Sequence, residues 1–160
     1  MSIEPREFRD TVGCFATGIT IITTVDADGN PVGLTANSFS SVSLDPPMVL
    51  FCLDRNVASF DAFQPNGHFA INILSTGQQD LSNRFAKSGP EKWDGVAFDT
   101  WDTGSPILPG CLASLECKVS SINEGGDHVI VIGEVICMTR ADQDVMPLLY
   151  FRGGYSDLAG

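Results

Sequence analysis

The chain has 160 residues, 43% of them hydrophobic and 18% charged, and its 20 acidic and 9 basic side chains leave a formal net charge of -11. That length suits a single domain over residues 1–160 with a sizeable core, and the composition is globular, not disordered. So acidic a chain is repelled by nucleic acid and by anionic membranes, which excludes both as partners, and it leaves an anionic ligand few cations to meet.

Glu4–Cys14 reads as a helix, with Ser2 as its cap, Pro5 in the tolerated first turn, and Phe8, Val12 and Phe15 on one face. Ile19–Val25 is a β-branched run, and Asp26-Ala27-Asp28-Gly29-Asn30 turns it into a hairpin with a strand over Pro31–Ser43. Pro46-Pro47 breaks the pattern before a strand over Met48–Asp54. Asn56 then caps a short helix that carries Phe60 and Phe63 and ends at Gly67. His68–Leu74 alternates as a strand, and Thr76-Gly-Gln-Gln79 has the capping-box pattern of a helix reaching Lys87. Ser88–Gly110 reads as loop with a short strand. Two long strands follow, Cys111–Asn123 and His128–Arg140, joined by Glu124–Asp127, and a last strand covers Leu148–Arg152. Strands in hairpin order with two or three short helices point to a mainly β, antiparallel barrel.

The five cysteines, at 14, 52, 111, 117 and 137, are odd in number and form no CxxC, which reads as reduced thiols in a cytoplasmic protein. MSIEPREFRD lacks the apolar core of a signal peptide, and no apolar run reaches the length of a membrane span.

The stretch from Gly33 to Arg55 breaks the strand rule. Thr35, Asn37, Phe39 and Ser41 fall on one side and Ala36, Ser38, Ser40 and Val42 on the other, so both faces are rich in small polar groups. A ligand with many polar edges would supply the missing partners. Downstream, Cys52-Leu53-Asp54-Arg55-Asn56 runs from a strand end into a helix start with Ser59, a plausible phosphate cradle, and Arg84 is a second candidate cation. There is no GxGxxG after a strand, no Walker lysine and no GxSxG elbow. With only His68 and His128 and no ligand cluster, no metal site is expected. An organic cofactor is therefore expected to carry the chemistry.

Phe15-Ala-Thr-Gly-Ile-Thr20, Leu34 to Ser43 with Asp45-Pro-Pro47, Cys52-Leu-Asp-Arg55, Arg84-Phe-Ala86, Gly126-Asp-His128 and Leu149 to Tyr155 together resemble the flavin reductase family. The family comprises small NAD(P)H:flavin oxidoreductases that serve two-component monooxygenases. The resemblance implies a Greek-key split β-barrel of the FMN-binding type, a homodimer, FMN or FAD as flavin, and NADH or NADPH as donor. It implies that reduced flavin diffuses to a flavin-dependent monooxygenase. Carried over, Thr35, Ala36, Asn37 and Ser38 would line the flavin ring, with Ser40 and Ser41 farther along its ribityl–phosphate side. Cys52, Leu53, Asp54 and Ser59 would surround the ring and phosphate with Arg55 nearby, and Arg84, Phe85 and Ala86 would close the far end. His128 would act on the nicotinamide side, with Tyr155 at the same opening. A carrier that keeps its FMN and takes electrons from a protein is the alternative class. A split-barrel oxidase of pyridoxal-type amines ranks lower, because cations for its substrate phosphate are scarce.

Overall fold

The computed structural model describes residues 2–64, 67–142 and 144–158. Helix α1 (Pro5–Val12) leads into β1 (Thr17–Gly18), β2 (Thr20–Val25), β3 (Pro31–Ala36), β4 (Ser40–Leu44), β5 (Pro47–Asp54) and β6 (His68–Ile73). Helix α2 (Gln79–Phe85) follows, then β7 (Asp99–Thr100), β8 (Pro106–Ile107), β9 (Ala113–Gly125), β10 (His128–Arg140), β11 (Leu149–Phe151) and β12 (Gly154–Ser156). All pairings are antiparallel, and seven strands form one sheet in the order β3-β2-β6-β9-β10-β5-β4. Its two edges, β3 and β4, are joined by only three residues, Asn37–Phe39. Four residue steps of extended chain span at most about 14 Å, so the sheet curls until its edges nearly meet. The result is a barrel with a split.

The barrel interior is apolar. Ile22, Phe51, Leu53, Phe69, Ile71, Val129 and Val131 are buried there, with the Phe51 and Phe69 rings edge to face at 5.1 Å. The alternation of β5 explains its share: Val49, Phe51 and Leu53 point inward, while Met48, Leu50, Cys52 and Asp54 are half-buried on the other side. Strand β2 is buried on both faces, because Ile19 and Ile21 join Leu74, Phe85, Leu108 and Leu148 in a second cluster outside the barrel. Strand and segment approach closely at Gly133, where a Cβ would lie 2.5 Å from the Phe69 ring.

Several boundaries differ from the sequence expectations. The strand expected over Pro31–Ser43 is broken at Asn37–Phe39, where the chain leaves β2 and crosses the split to join β5. Helix α1 is shorter than Glu4–Cys14, and Glu4 with extended backbone, not Ser2, is its cap. The capping box is Ser75–Gln78, one residue early, because a 3-10 turn over Thr76–Gln78 precedes α2; the Ser75 N–H donates to Gln78 Oε1 at 2.9 Å. α2 ends at Phe85, short of Lys87. After β11, Arg152 at φ 49° and Gly153 turn the chain into an unanticipated strand, β12.

A buried amide fastens the loop before β9 onto the sheet. Asn72, with no exposed surface, donates through Nδ2 to Ile21 O (3.2 Å) and Pro106 O (3.4 Å), and its Oδ1 accepts the Leu108 N–H (2.9 Å) and the Ser114 hydroxyl (3.0 Å). Asn72→Leu leaves those groups buried and unpaired. The expected loss is about 2–4 kcal/mol of unfolding free energy, read from a lower urea midpoint. A midpoint matching the wild type would show that the network is dispensable.

Candidate active site

One cleft of about 840 Å³ opens at the split, between β3, the end of β5 with its following turn, the end of α2 with the loop behind it, and the first residue of β10. Its volume falls in the ~300–1,000 Å³ range of small-molecule sites.

The first wall is β3 and the crossing that follows. Two of its hydroxyls are occupied by the protein itself: Thr35 donates to Ser82 O at 2.6 Å, and Ser38 Oγ accepts the Cys52 N–H at 2.9 Å. Among the described residues, the N–H groups of Asn37 and Ser38 and the Asn37 amide have no protein partner, so backbone and amide face the cleft with free hydrogen-bonding capacity.

The second wall is Cys52–Asp54 with the turn Val57-Ala58-Ser59. Asp54 Oδ1 accepts the Asn56 N–H at 2.8 Å, which tightens this turn. The helix expected from Asn56 is absent; a three-residue 3-10 turn, Phe60–Ala62, stands in its place. An anion here would meet individual N–H groups and the Ser59 hydroxyl instead of a helix terminus. Among the described residues, the N–H groups of Ala58 and Ser59 have no protein acceptor.

The third wall comes from residues fifty positions away in sequence. Phe85 and Trp93 meet edge to face at 4.7 Å and press on β3 at Gly33, where a Cβ would lie 2.8 Å from Phe85 Cε1. Lys87 and Lys92 line the cleft beside them. Lys92 Nζ donates to Lys87 O at 3.2 Å, and no carboxylate pairs with it among the described residues. Partial burial holds the Lys92 ammonium below the ordinary lysine pKa.

His128 closes one end. Its Nδ1 lies 2.7 Å from Asp127 Oδ1. The hydrogen bond from the imidazole holds Asp127 below the usual carboxylate range, so this oxygen accepts. Nδ1 therefore carries the proton, which leaves Nε2 free for a ligand.

Of the residues singled out from sequence, Thr35, Ala36, Asn37, Ser38, Cys52, Leu53, Asp54, Ser59, Phe85, Ala86 and His128 meet in this cleft. Ser40, Ser41, Arg55, Arg84 and Tyr155 fall outside its lining. Ser40 and Ser41 lie on the edge strand β4, where the Ser40 hydroxyl donates to Ser41 O. Arg84 clasps the 3-10 turn that carries Lys92, donating to Asp94 O at 2.6 Å. The Tyr155 hydroxyl is held by Ser82 Oγ and Asn83 Oδ1 behind α2, and Arg55 turns to the β9–β10 hairpin. Sequence reasoning missed Lys87, Lys92 and Trp93 as lining residues. The available signal was the scarcity of cations: with nine in the chain, each one merited placement.

Fold and cleft together define a small-molecule-binding antiparallel split barrel with a carboxylate-oriented histidine at one end. The chain belongs to the flavin reductase like domain family, which matches residues 12–159. It is 41% identical over 157 residues to HsaB, the reductase subunit of a flavin-dependent monooxygenase of Rhodococcus jostii, covering 98% of this chain and 80% of that one. It is 41% identical over 150 residues to the FMN reductase (NADH) SmoA of Agrobacterium fabrum, covering 94% and 84%. The structure of the NADH:FAD oxidoreductase SgcE6 of Streptomyces globisporus with NAD and FAD fragments superposes with a TM-score of 0.90 at 34% identity, covering 99% and 97%.

Cysteine chemistry offers a reading of cleft occupancy. Burial pushes the Cys111 thiol up to about 11 and that of Cys117 up to about 12, so both stay protonated and slow to alkylate at neutral pH. Cys137 is exposed, and Cys52 lines the cleft. Adding FMN or FAD should slow iodoacetamide labelling of Cys52, followed by mass spectrometry, and leave Cys137 unchanged. Equal labelling of Cys52 with and without flavin would place the ligand elsewhere.

Proposed function

We propose that this cleft binds flavin and that the protein acts as an NAD(P)H-dependent flavin reductase supplying reduced flavin to a partner monooxygenase. One observation carries the reading: the open backbone groups of the crossing after β3, the Ser59 turn and the Asp127-oriented His128 share a single cleft in a chain of this family. The lining fits such a cofactor. It pairs apolar surface from Leu34, Val57 and Trp93 with unpartnered donors at Asn37, Ser38, Ala58 and Ser59, as an amphipathic ring with an anionic tail requires. When bound, flavin supplies the hydride-accepting chemistry, with the nicotinamide as donor.

The chain's own residues bind and orient. The Asn37 and Ser38 N–H groups and the Asn37 amide meet polar ring edges. The Ala58 and Ser59 N–H groups and the Ser59 hydroxyl meet phosphate, and Lys92 adds positive charge from the third wall of the same cleft. Cys52, Leu53 and Asp54 floor the seat, with Thr35, Ala36, Phe85 and Ala86 at its sides. His128 offers Nε2 toward the nicotinamide. Among the described residues the cleft lining has no arginine cluster for a 2′-phosphate, which supports NADH over NADPH.

The family match over 12–159 supports one domain, and the surface supports a homodimer. No residue of α1 is buried, with Phe8 56% and Phe15 78% exposed, while Leu44 and Met138 are 95% and 72% exposed. Large apolar side chains exposed to this degree are ones that a subunit interface would cover. Light scattering should then report about twice the 17.1 kDa chain mass, and a monomer at micromolar concentration would refute the dimer.

Anaerobic mixing with NADH should bleach the visible absorbance of added FMN or FAD; no bleaching with either nicotinamide would sink the reductase reading. His128→Ala is expected to raise KM for NADH about tenfold or more through one lost hydrogen bond, while flavin Kd holds. Weakened flavin binding in that variant would remove His128 from the nicotinamide side.

A further inference from the structure

Arg55, the cation the sequence sets beside a phosphate, lies outside the cleft lining. Its donors go to the end of β9 and to the two-residue turn, Gly126 and Asp127, that leads into β10. Its backbone N–H donates to Asp127 O at 3.1 Å, its Nε–H to Gly126 O at 3.3 Å, and its guanidinium pairs with the Glu124 carboxylate. Both turn residues and the strand-end Glu124 are thus tied to Arg55, Asp127 through its backbone and Gly126 and Glu124 through its side chain. The next residue after the turn is His128, and the Asp127 carboxylate that orients its imidazole belongs to the turn itself. On the other strand, Arg55 directly follows Asp54, the register partner of His128. The β9–β10 ladder reaches as far as Gly125 and His128, and beyond it the turn consists of Gly126, at φ 79°, and Asp127.

We infer that Arg55 is a positioning residue for His128: it fastens the β9–β10 turn so that Asp127 and the imidazole keep their place over the cleft. An isolated exposed ion pair contributes little, but a guanidinium fork shared between a carboxylate and a turn carbonyl fixes geometry that a point charge does not. The inference rests on the reading of His128 as the nicotinamide-side residue, and it gives Arg55 no contact with flavin.

Five proteins test it: wild type, Arg55→Met, Arg55→Lys, His128→Ala and the double variant R55M/H128A. Arg55→Met should raise KM for NADH about fivefold, keep kcat within about twofold, and leave flavin Kd, titrated by fluorescence without nicotinamide, within about twofold. Amide hydrogen exchange should quicken at residues 124–127 in the flavin-bound protein and stay unchanged in β5. Arg55→Lys, which keeps the charge but loses the fork, should fall between wild type and Arg55→Met. The double variant should match His128→Ala in KM, since both changes act through one imidazole. Weaker flavin binding in Arg55→Met overturns the inference in favour of a phosphate contact. Additive KM effects, or unchanged exchange at the turn, overturn it as well. If His128→Ala leaves KM unchanged, the parent reading fails; a KM effect in Arg55→Met alone would then arise by another route and reject the positioning role.

Discussion

Strands β5 and β10 pair so that Asp54 faces His128, Leu53 faces Val129 and Cys52 faces Ile130. Side chains alternate along a strand, so a slip of one residue would send every inward side chain to the other face. Phe51, Leu53, Val129 and Val131 are all buried in the barrel, and exposing such side chains costs roughly 1.5–3 kcal/mol each. The hydrophobic core thereby forbids the slip. Its burial energy, acting several residues away, brings the imidazole to the end of the strand that floors the cleft.

The same strand explains why the barrel is split. β4 pairs with β5 only as far as Ser40 and Leu50, so the β5 edge beyond carries the Cys52 N–H without a backbone partner. The Ser38 hydroxyl takes that N–H and returns a longer contact of 3.3 Å to the Cys52 carbonyl. A side chain closes the seam where a strand would otherwise continue. Because it occupies little room, the opening persists beside it, and the chain crosses there with its own N–H groups turned outward.

Much of this was legible in the sequence because burial leaves a period. The β-branched run of β2, the alternation of β5 and β6 and the two long strands β9 and β10 all follow from apolar spacing, as does the antiparallel order. The polar stretch from Thr35 to Ser38 marked the site, since polarity on both faces satisfies neither core nor surface. Its hydroxyls misled in one respect: Thr35 and Ser38 satisfy the protein's own backbone, a distinction set by tertiary distance. The cations were the least legible. Arg55 and Lys92 look alike as charges in a string, and only the fold turns one toward a hairpin and the other into the cleft. The Asn56 cap failed for a local reason, because the Asp54 carboxylate already held the Asn56 N–H in a turn.

Gly33 lies on the cleft-lining strand with the Phe85 and Trp93 rings against its bare Cα. The segment that carries the aromatic pair also accepts the Thr35 hydroxyl of the same strand at Ser82 O. The width of the cleft at that end is therefore gauged by the thickness of a backbone, with no side chain as spacer. The seat beside β3 and the wall beside Trp93 become separable parts: loop changes after Ala86 can lengthen or shorten what the pocket accepts at its far end, while the gauge that sets the seat stays constant.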